Sequence, residues 1–341
     1  MIKLDHVAVV QTAFIGDVLL TLPMMRALRA ERPDAELTLV TTPVGAEVAR
    51  GISWIDRVAV FDKRGEHRSR AAMRGFAAGL RPVDALLVPH KSFRTLRLVR
   101  MINAPHVISY DDAWSKWVAT VRIPYPAPLH DADRHLQLLL GLLPTAHWTK
   151  EQCCPMVLST EDDRVQAMLH VRDLGPFVVV APGTAWPTKQ WPPQRMQEVA
   201  TMIVNAGRRV VVLGDQSVKG CVQGPGIVDL CGRTTLRESA AIIAMATAVV
   251  CNDSAPLHLA SLQNVPVVAI FGPTTADFGF GPFGSCSSVV ERDLPCRPCS
   301  PHGTATCPLG NHACMTGIDA DRVMRELNNL HLSATAQPLT S

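Results

Sequence analysis

Three short stretches of this chain place chemistry-bearing residues where a strand gives way to a helix: Gln11 to Asp17, Pro182 to Pro192, and Cys251 to His258. Each reads as a buried strand, a tight polar turn and a helix start. A turn of this kind lets backbone approach a ligand closely, and helix-terminal N–H groups can face an anion. Asp17 follows Gly16 at the first helix start. A carboxylate there can take a proton from a substrate hydroxyl, and the helix dipole favours its ionised form. Its competing use is as a helix cap. Lys189, between Trp186 and Trp191, is either a cation for a departing phosphate or a solvated lysine. Asp253 suits sugar hydroxyls or loop backbone, and His258 suits a phosphate, a sugar hydroxyl or a packed interior. Thr274 suits a phosphate contact or a cap, while Trp186 and Trp191 read mainly as packing residues. No stretch is a phosphate-binding P-loop or a GxGxxG fingerprint, which weighs against ATPase and NAD-dependent chemistry. No G-x-S-x-G turn supports a Ser-His-Asp hydrolase.

Two further groups stand out. Cys296, Cys299, Cys307 and Cys314 form a C-x₂-C-x₇-C-x₆-C pattern with His302 and His312 inside it. Four such ligands could hold zinc. A metal-free loop shaped by the prolines and glycines between them, with its thiols buried as small hydrophobes, accounts for the same residues. Lys91, Arg94, Arg97 and Arg100 recur every three residues along an expected helix, and Arg64, Arg68, Arg70 and Arg74 form a second basic concentration. Either is a solvated face or a dock for anionic groups.

The elements that must position these residues alternate. Strands are expected at His6 to Gln11, Glu36 to Thr41, Arg57 to Phe61, Ala85 to Val88 and His106 to Ser109, with helices from Asp17 to Arg32 and Ser92 to Ile102. A helix over His130 to Leu142 precedes an aperiodic linker, Pro144 to Pro155. The pattern then restarts: helices at Glu161 to Arg172, Pro192 to Asn205, Ser254 to Ser261 and Asp319 to Leu327 flank strands at Phe177 to Ala181, Arg209 to Leu213, Thr247 to Cys251 and Pro266 to Phe271. The tail beyond Leu327 reads as loose. Such alternation predicts an α/β protein with largely parallel sheets and two Rossmann-like domains, 1–155 and 156–341, with a cleft between them. A chain of 341 residues with 47% hydrophobic and 18% charged residues can bury two such cores. A net charge of +3 gives no case for nucleic acid. No secretory signal or membrane-spanning run is visible, so the ten cysteines are expected to be reduced in a cytoplasmic protein.

The motifs themselves resemble a known family. Gln11-Thr-Ala-Phe-Ile-Gly-Asp17-Val-Leu-Leu-Thr-Leu-Pro is similar to the N-terminal motif of the lipopolysaccharide heptosyltransferases, glycosyltransferase family 9. Ala181-Pro-Gly-Thr-Ala-Trp-Pro-Thr-Lys189-Gln-Trp191-Pro resembles that family's donor-phosphate loop. Asn252-Asp253-Ser-Ala-Pro-Leu-His258-Leu-Ala, then Phe271-Gly-Pro-Thr274, resembles its C-terminal signature, and the Cys296-to-Cys314 segment is similar to the heptosyltransferase II branch. The resemblance implies a GT-B fold with acceptor in the first domain and nucleotide-sugar in the second. It implies inverting, metal-independent transfer, without a cofactor, from an ADP-heptose donor to a lipid A-core acceptor. Asp17 matches the family's proposed base. Thr184, Lys189, Asp253, Ser254 and His258 match donor-site positions, and Ala185 stands where some relatives carry a hydroxyl. Thr234 and Leu236 fall where adenine is approached, and Asp215 near ribose, although turn formation also accounts for Gly232 to Thr235. Lys91 and Arg94 are the expected acceptor contacts, with transient attachment at the inner face of the inner membrane. The rival expectations are another nucleotide sugar or core acceptor on the same fold, or a sugar-nucleotide-binding protein without transfer.

Overall fold

A computed structural model describes residues 4–90, 92–284 and 286–335. The chain forms two compact units that divide between Val157 and Leu158. In the first, strands β1 (His6–Gln11), β2 (Glu36–Thr41), β3 (Arg57–Val60), β4 (Ala85–Val88), β5 (His106–Tyr110) and β6 (Val121–Ile123) alternate with helices. These are α1 (Ile15–Glu31), α2 (Pro43–Ala49), α3 (Arg70–Ala78), α4 (Phe93–Ile102), α5 (Asp131–Leu142) and α6 (Lys150–Cys153). All strands run parallel in the order β3-β2-β1-β4-β5-β6.

The second unit repeats the plan. Its strands are β7 (Phe177–Ala181), β8 (Arg209–Val212), β9 (Ile227–Asp229), β10 (Ala248–Asn252), β11 (Val267–Ile270) and β12 (Ser287–Val290). Its helices are α7 (Glu161–Val171), α8 (Pro193–Asn205), α9 (Leu236–Met245), α10 (Ala255–Leu262), α11 (Ala313–Thr316) and α12 (Ala320–Thr335). The parallel order is β12-β11-β10-β7-β8-β9. Both sheets therefore reverse direction once, between β1 and β4 and between β7 and β10. Ligands of doubly wound sheets bind at that reversal, beyond the carboxyl ends of the strands.

Sequence composition follows position in the sheet. Every residue of β1, β4, β7, β10 and β11 is buried, as central parallel strands covered on both faces require. The outer strands β3, β6, β9 and β12 are largely half-buried. Hydroxyl N-caps start several helices: Thr42, Ser69, Ser92, Thr160 and Thr235 each accept an N–H from the first turn. Helix α4 ends on Asn103 in the left-handed conformation.

Three expectations need correction. The last helix continues to Thr335, because Leu330 extends the buried stripe of Val323 and Leu327. The stretch from Pro144 to Pro155 contains α6, which Thr149 and Gln152 close with a reciprocal capping box. Pro23, expected within the first two turns of a helix starting near Asp17, lies in the third turn of α1, and the helix continues through it.

Trp191 joins these elements. It is fully buried, its backbone N–H donates to Asn252 Oδ1 at 3.1 Å, and its indole Nε1 donates to the Ile318 carbonyl at 3.2 Å. Replacing it by alanine is expected to cost about 3–5 kcal/mol in urea unfolding of the second unit. A loss under about 1 kcal/mol would contradict its role in the core.

Candidate active site

At the first reversal, α1 starts four residues after β1 and carries Asp17 in its first turn. Asp17 Oδ2 accepts the Phe14 N–H at 3.1 Å, so the side chain does serve as a cap. Helix α5 packs along α1 and brings three buried ionisable residues, Asp131, Arg134 and His135, to the same region. His135 Nε2 lies 3.4 Å from Asp131, and Arg134 Nη1 lies 3.3 Å from the other Asp131 oxygen. His135 Nδ1 meets the Leu20 carbonyl at 3.1 Å and Thr21 Oγ1 at 3.4 Å. Thr21 in turn donates to the Asp17 carbonyl at 2.8 Å. Arg134 also donates to the Tyr125 hydroxyl at 3.0 Å and stands over its ring, 5.1 Å from the centroid.

This setting changes the expected electrostatics of Asp17. Burial first, and then the Asp131 carboxylate, push its pKa above the ordinary value, while His135 pulls the other way. The helix dipole was expected to favour the ionised form, but desolvation outweighs it. A carboxylate whose pKa is raised binds a proton more strongly, which makes it the stronger base when ionised.

A basic wall lies beside this turn. Lys63 Nζ donates to the Thr12 carbonyl at 2.6 Å, and Arg94 donates to the Lys63 carbonyl. Thr12 and Thr95 share a hydroxyl bond of 2.8 Å, tying the start of α4 to the β1–α1 turn. Burial, with Arg64 and Arg94 nearby, lowers the Lys63 pKa. Burial and the Lys63 charge push His90 down to about 4, so it is neutral at pH 7. The expected basic stripe divides: Arg97 and Arg100 are exposed, whereas Arg94 is half-buried against the Lys63 backbone. Lys91 lies outside the described residues. Arg64, Arg68, Arg70 and Arg74 are solvent-facing.

At the second reversal, Lys189 ends a single 3-10 turn after β7, and Asp253 follows β10 directly. Lys189 Nζ is 2.6 Å from Asp253 Oδ2, and the Thr274 hydroxyl donates to the same oxygen at 2.7 Å. Both charged side chains are largely buried, at 13% and 6% exposure. The lysine is thus held by a partner rather than solvated, and its ammonium keeps further N–H donors for an anion. Thr184 is half-buried in the same loop, and Ala185 is exposed. His258 is buried within α10, and Ser254 donates to the Asn252 carbonyl at 3.3 Å. Thr234 pairs with Ser239 at 2.8 Å, Leu236 opens α9, and Asp215 accepts the Ser217 N–H at 2.8 Å.

The expected supply of helix-terminal N–H groups is smaller than the layout promised. Helix α8 is entered through Pro192 and Pro193, neither of which has an N–H, and α10 has Pro256 as its second residue. The Leu257 N–H is taken by the Ser254 carbonyl. Charge at this end therefore rests mainly on Lys189.

The cysteine segment closes over the same turn. Thr188 Oγ1 donates to the Thr304 carbonyl at 2.8 Å and accepts its N–H at 2.8 Å, and His312 Nε2 meets the Thr188 carbonyl at 2.6 Å. Gly303, at φ +94°, presses so close that a Cβ would meet Trp186 at 2.8 Å and the Lys189 stem at 3.2 Å. Only Cys314 of the four thiols is buried; Cys296 and Cys299 are exposed, contrary to the small-hydrophobe expectation. Among the described residues, no group of three or more His, Cys, Asp or Glu is arranged to hold a metal ion.

Two such doubly wound units define the GT-B class, and solved structures share the whole architecture. The Escherichia coli ADP-heptose lps heptosyltransferase II matches with a TM-score of 0.76 at 22% identity, over 97% of this chain and 100% of that one. The sequence profile described as glycosyltransferase family 9 (heptosyltransferase) matches residues 73–309, and the chain belongs to that family. Lipooligosaccharide heptosyltransferase 2 of Campylobacter jejuni is 33% identical over 119 residues, which cover 35% of this chain and 34% of that protein. The match thus spans about a third of that relative's length. Lipopolysaccharide heptosyltransferase 1 of Pseudomonas aeruginosa is 27% identical over 86% of each chain.

Asp131 and His135 act on Asp17 with opposite sign. Asp131→Asn is expected to lower the Asp17 titration midpoint and His135→Gln to raise it, measured by carboxyl ¹³C NMR. A midpoint that moves in neither variant would disprove the coupling.

Proposed function

We propose that the chain transfers heptose from ADP-L-glycero-D-manno-heptose to the inner core of a lipopolysaccharide precursor, with inversion and without a metal, as an enzyme of the second-heptose branch. The observation that carries this is the buried Lys189–Asp253–Thr274 cluster at one sheet reversal, within a family-9 chain whose other reversal carries Asp17. Residues 1–155 would bind the acceptor and residues 156–341 the donor. The acceptor hydroxyl oxygen attacks the anomeric carbon, its proton passes to an Asp17 oxygen, and the bond to ADP breaks. Lys189, with Thr184, meets the charge that develops on the diphosphate. Asp253 and Thr274 fix the ammonium; Ser254, His258, Thr234, Leu236 and the exposed Ala185 border the donor. Lys91 and Arg94 would contact anionic groups of the acceptor. The branch assignment draws on the heptosyltransferase 2 likeness, and the longer match to a heptosyltransferase 1 makes the acceptor the quantity to test.

No helix among the described residues is long and apolar enough to cross a membrane. We read the enzyme as working in the cytoplasm, in transient contact with the inner face of the inner membrane where the acceptor is anchored.

Mass spectrometry of products from defined acceptors should show one heptose added from ADP-heptose to an acceptor that already bears one. Use of a heptose-free acceptor alone would move the enzyme to the first step, and use only of another nucleotide sugar would reject the donor. Asp17→Asn should reduce turnover by at least about a hundredfold while donor binding, followed by calorimetry, is retained. Near-parental turnover in the folded variant would defeat the base assignment.

Charge reversal of Lys91 and Arg94 should raise the KM for acceptor at least about tenfold and leave donor affinity unchanged. An equal effect on both substrates would remove these residues from the acceptor site.

A further inference from the structure

The sheet edge that carries Asp17 also displays large aromatic side chains. Phe93 follows β4 and is 63% exposed; Trp114 and Trp117 follow β5 and are 57% and 65% exposed. Isolated exposed apolar residues are ordinary, but these are organised. Phe93 and Trp114 are in edge-to-face contact with centroids 6.0 Å apart, and Trp117 is bonded back to the Trp114 carbonyl through its N–H at 3.1 Å. The loop that presents them is built rather than loose. Asp112 Oδ1 accepts the N–H groups of Trp114 and Ser115, both at 2.8 Å, and the buried Ser115 hydroxyl accepts the Asp112 N–H at 3.0 Å. Val118 and Ala119 then anchor the loop against the core of the unit.

Cations accompany two of the three rings. Arg97 stands 6.0 Å from the Phe93 centroid and Lys116 stands 5.6 Å from that of Trp117. Phe93, Arg97 and Arg100 follow one another at helical spacing, so they share a face of α4. The nearby acids do not cancel this charge: Asp111 is paired with Arg122 at 2.9 Å, and Asp112 is turned into its own loop backbone.

We propose that Phe93, Trp114 and Trp117, with Arg97, Arg100 and Lys116, form a ridge that seats in the headgroup layer of an anionic bilayer. The proposal deepens the membrane contact proposed above and rests on it. Indole rings prefer the boundary between apolar and wet surroundings, and flanking lysine and arginine reach anionic headgroups from there. Because the ridge shares the carboxyl edge of the sheet with Asp17, seating it would hold that edge at the surface where a lipid-anchored acceptor lies.

Flotation of the full chain with vesicles tests this. Binding is expected to phosphatidylcholine vesicles with about 30% phosphatidylglycerol and to fall in pure phosphatidylcholine. The pair Trp114→Ala and Trp117→Ala should weaken it at least about tenfold, and Lys116→Ala about fivefold in the anionic vesicles only. Bromine on the upper acyl carbons should quench tryptophan fluorescence in the parent and much less in the double variant. Folding of the variants is checked by circular dichroism and by parental turnover on a deacylated, soluble acceptor. If the double variant floats as the parent does, or if the ridge is covered only as the chain self-associates in sedimentation, the assignment is wrong. Failure of the parent to float would remove membrane contact altogether, while turnover on the soluble acceptor would still report separately on the transfer chemistry.

Discussion

A parallel sheet that winds outward in both directions must reverse once, and the two strands beside the reversal end with no crossover between them. That geometric constraint sets the position of nearly every polar group considered for catalysis in this chain. In the first unit β1 and β4 flank the gap, and Asp17, Lys63 and Arg94 gather near their ends. In the second, β7 and β10 flank it, and Lys189 and Asp253 meet across it. Central strands of Val, Ile and Ala can be buried on both faces because polar residues are deferred to the turns that follow.

Placing charge there has an energetic consequence. A buried ion contributes little net stability unless it is paired and hydrogen-bonded, and removing one partner leaves the other stranded. Lys189 has Asp253, and Asp253 has Thr274 besides. Asp131 is shared between Arg134 and His135, and Arg134 also reaches Tyr125. In the first unit the network passes through Thr21 to the backbone of the catalytic candidate itself. These pairs therefore fix positions more than they add stability, which is what a site needs when an ångström of misplacement is costly.

Much of this was legible in the chain. The valine-rich strands and the alternation gave the architecture, and the turns at Gln11, Pro182 and Cys251 pointed to the residues at both reversals. Two signals were present in the residues and passed over. Thr235 and Glu238 form the spacing of a capping box, which marks α9 directly after the expected turn at Gly232 to Thr235, where no helix was expected. Pro192, Pro193 and Pro256 already declared that α8 and α10 would start with fewer N–H groups. Other features had no local signal. Asp131, Arg134 and His135 read as ordinary charged residues of an amphipathic helix, and only packing against α1 turns them inward. The Lys189–Asp253 pair joins residues far apart in sequence, and the rise in the Asp17 pKa depends on how much water that packing removes.

The clasp of Gly303 and Thr304 on the turn that carries Lys189 gives the chain a direction in time. The contacts that frame Asp17 close within α1 and α5, so they can form as soon as the first unit has left the ribosome. The lysine turn emerges soon afterwards but has nothing to lean on. Its partners Thr304 and His312, and the Ile318 carbonyl that holds Trp191, lie more than a hundred residues downstream. A growing chain therefore closes the contacts around Asp17 early and those around Lys189 only after residue 318 has been made. Until then the turn that carries Lys189 lacks the clasp of Gly303 and Thr304.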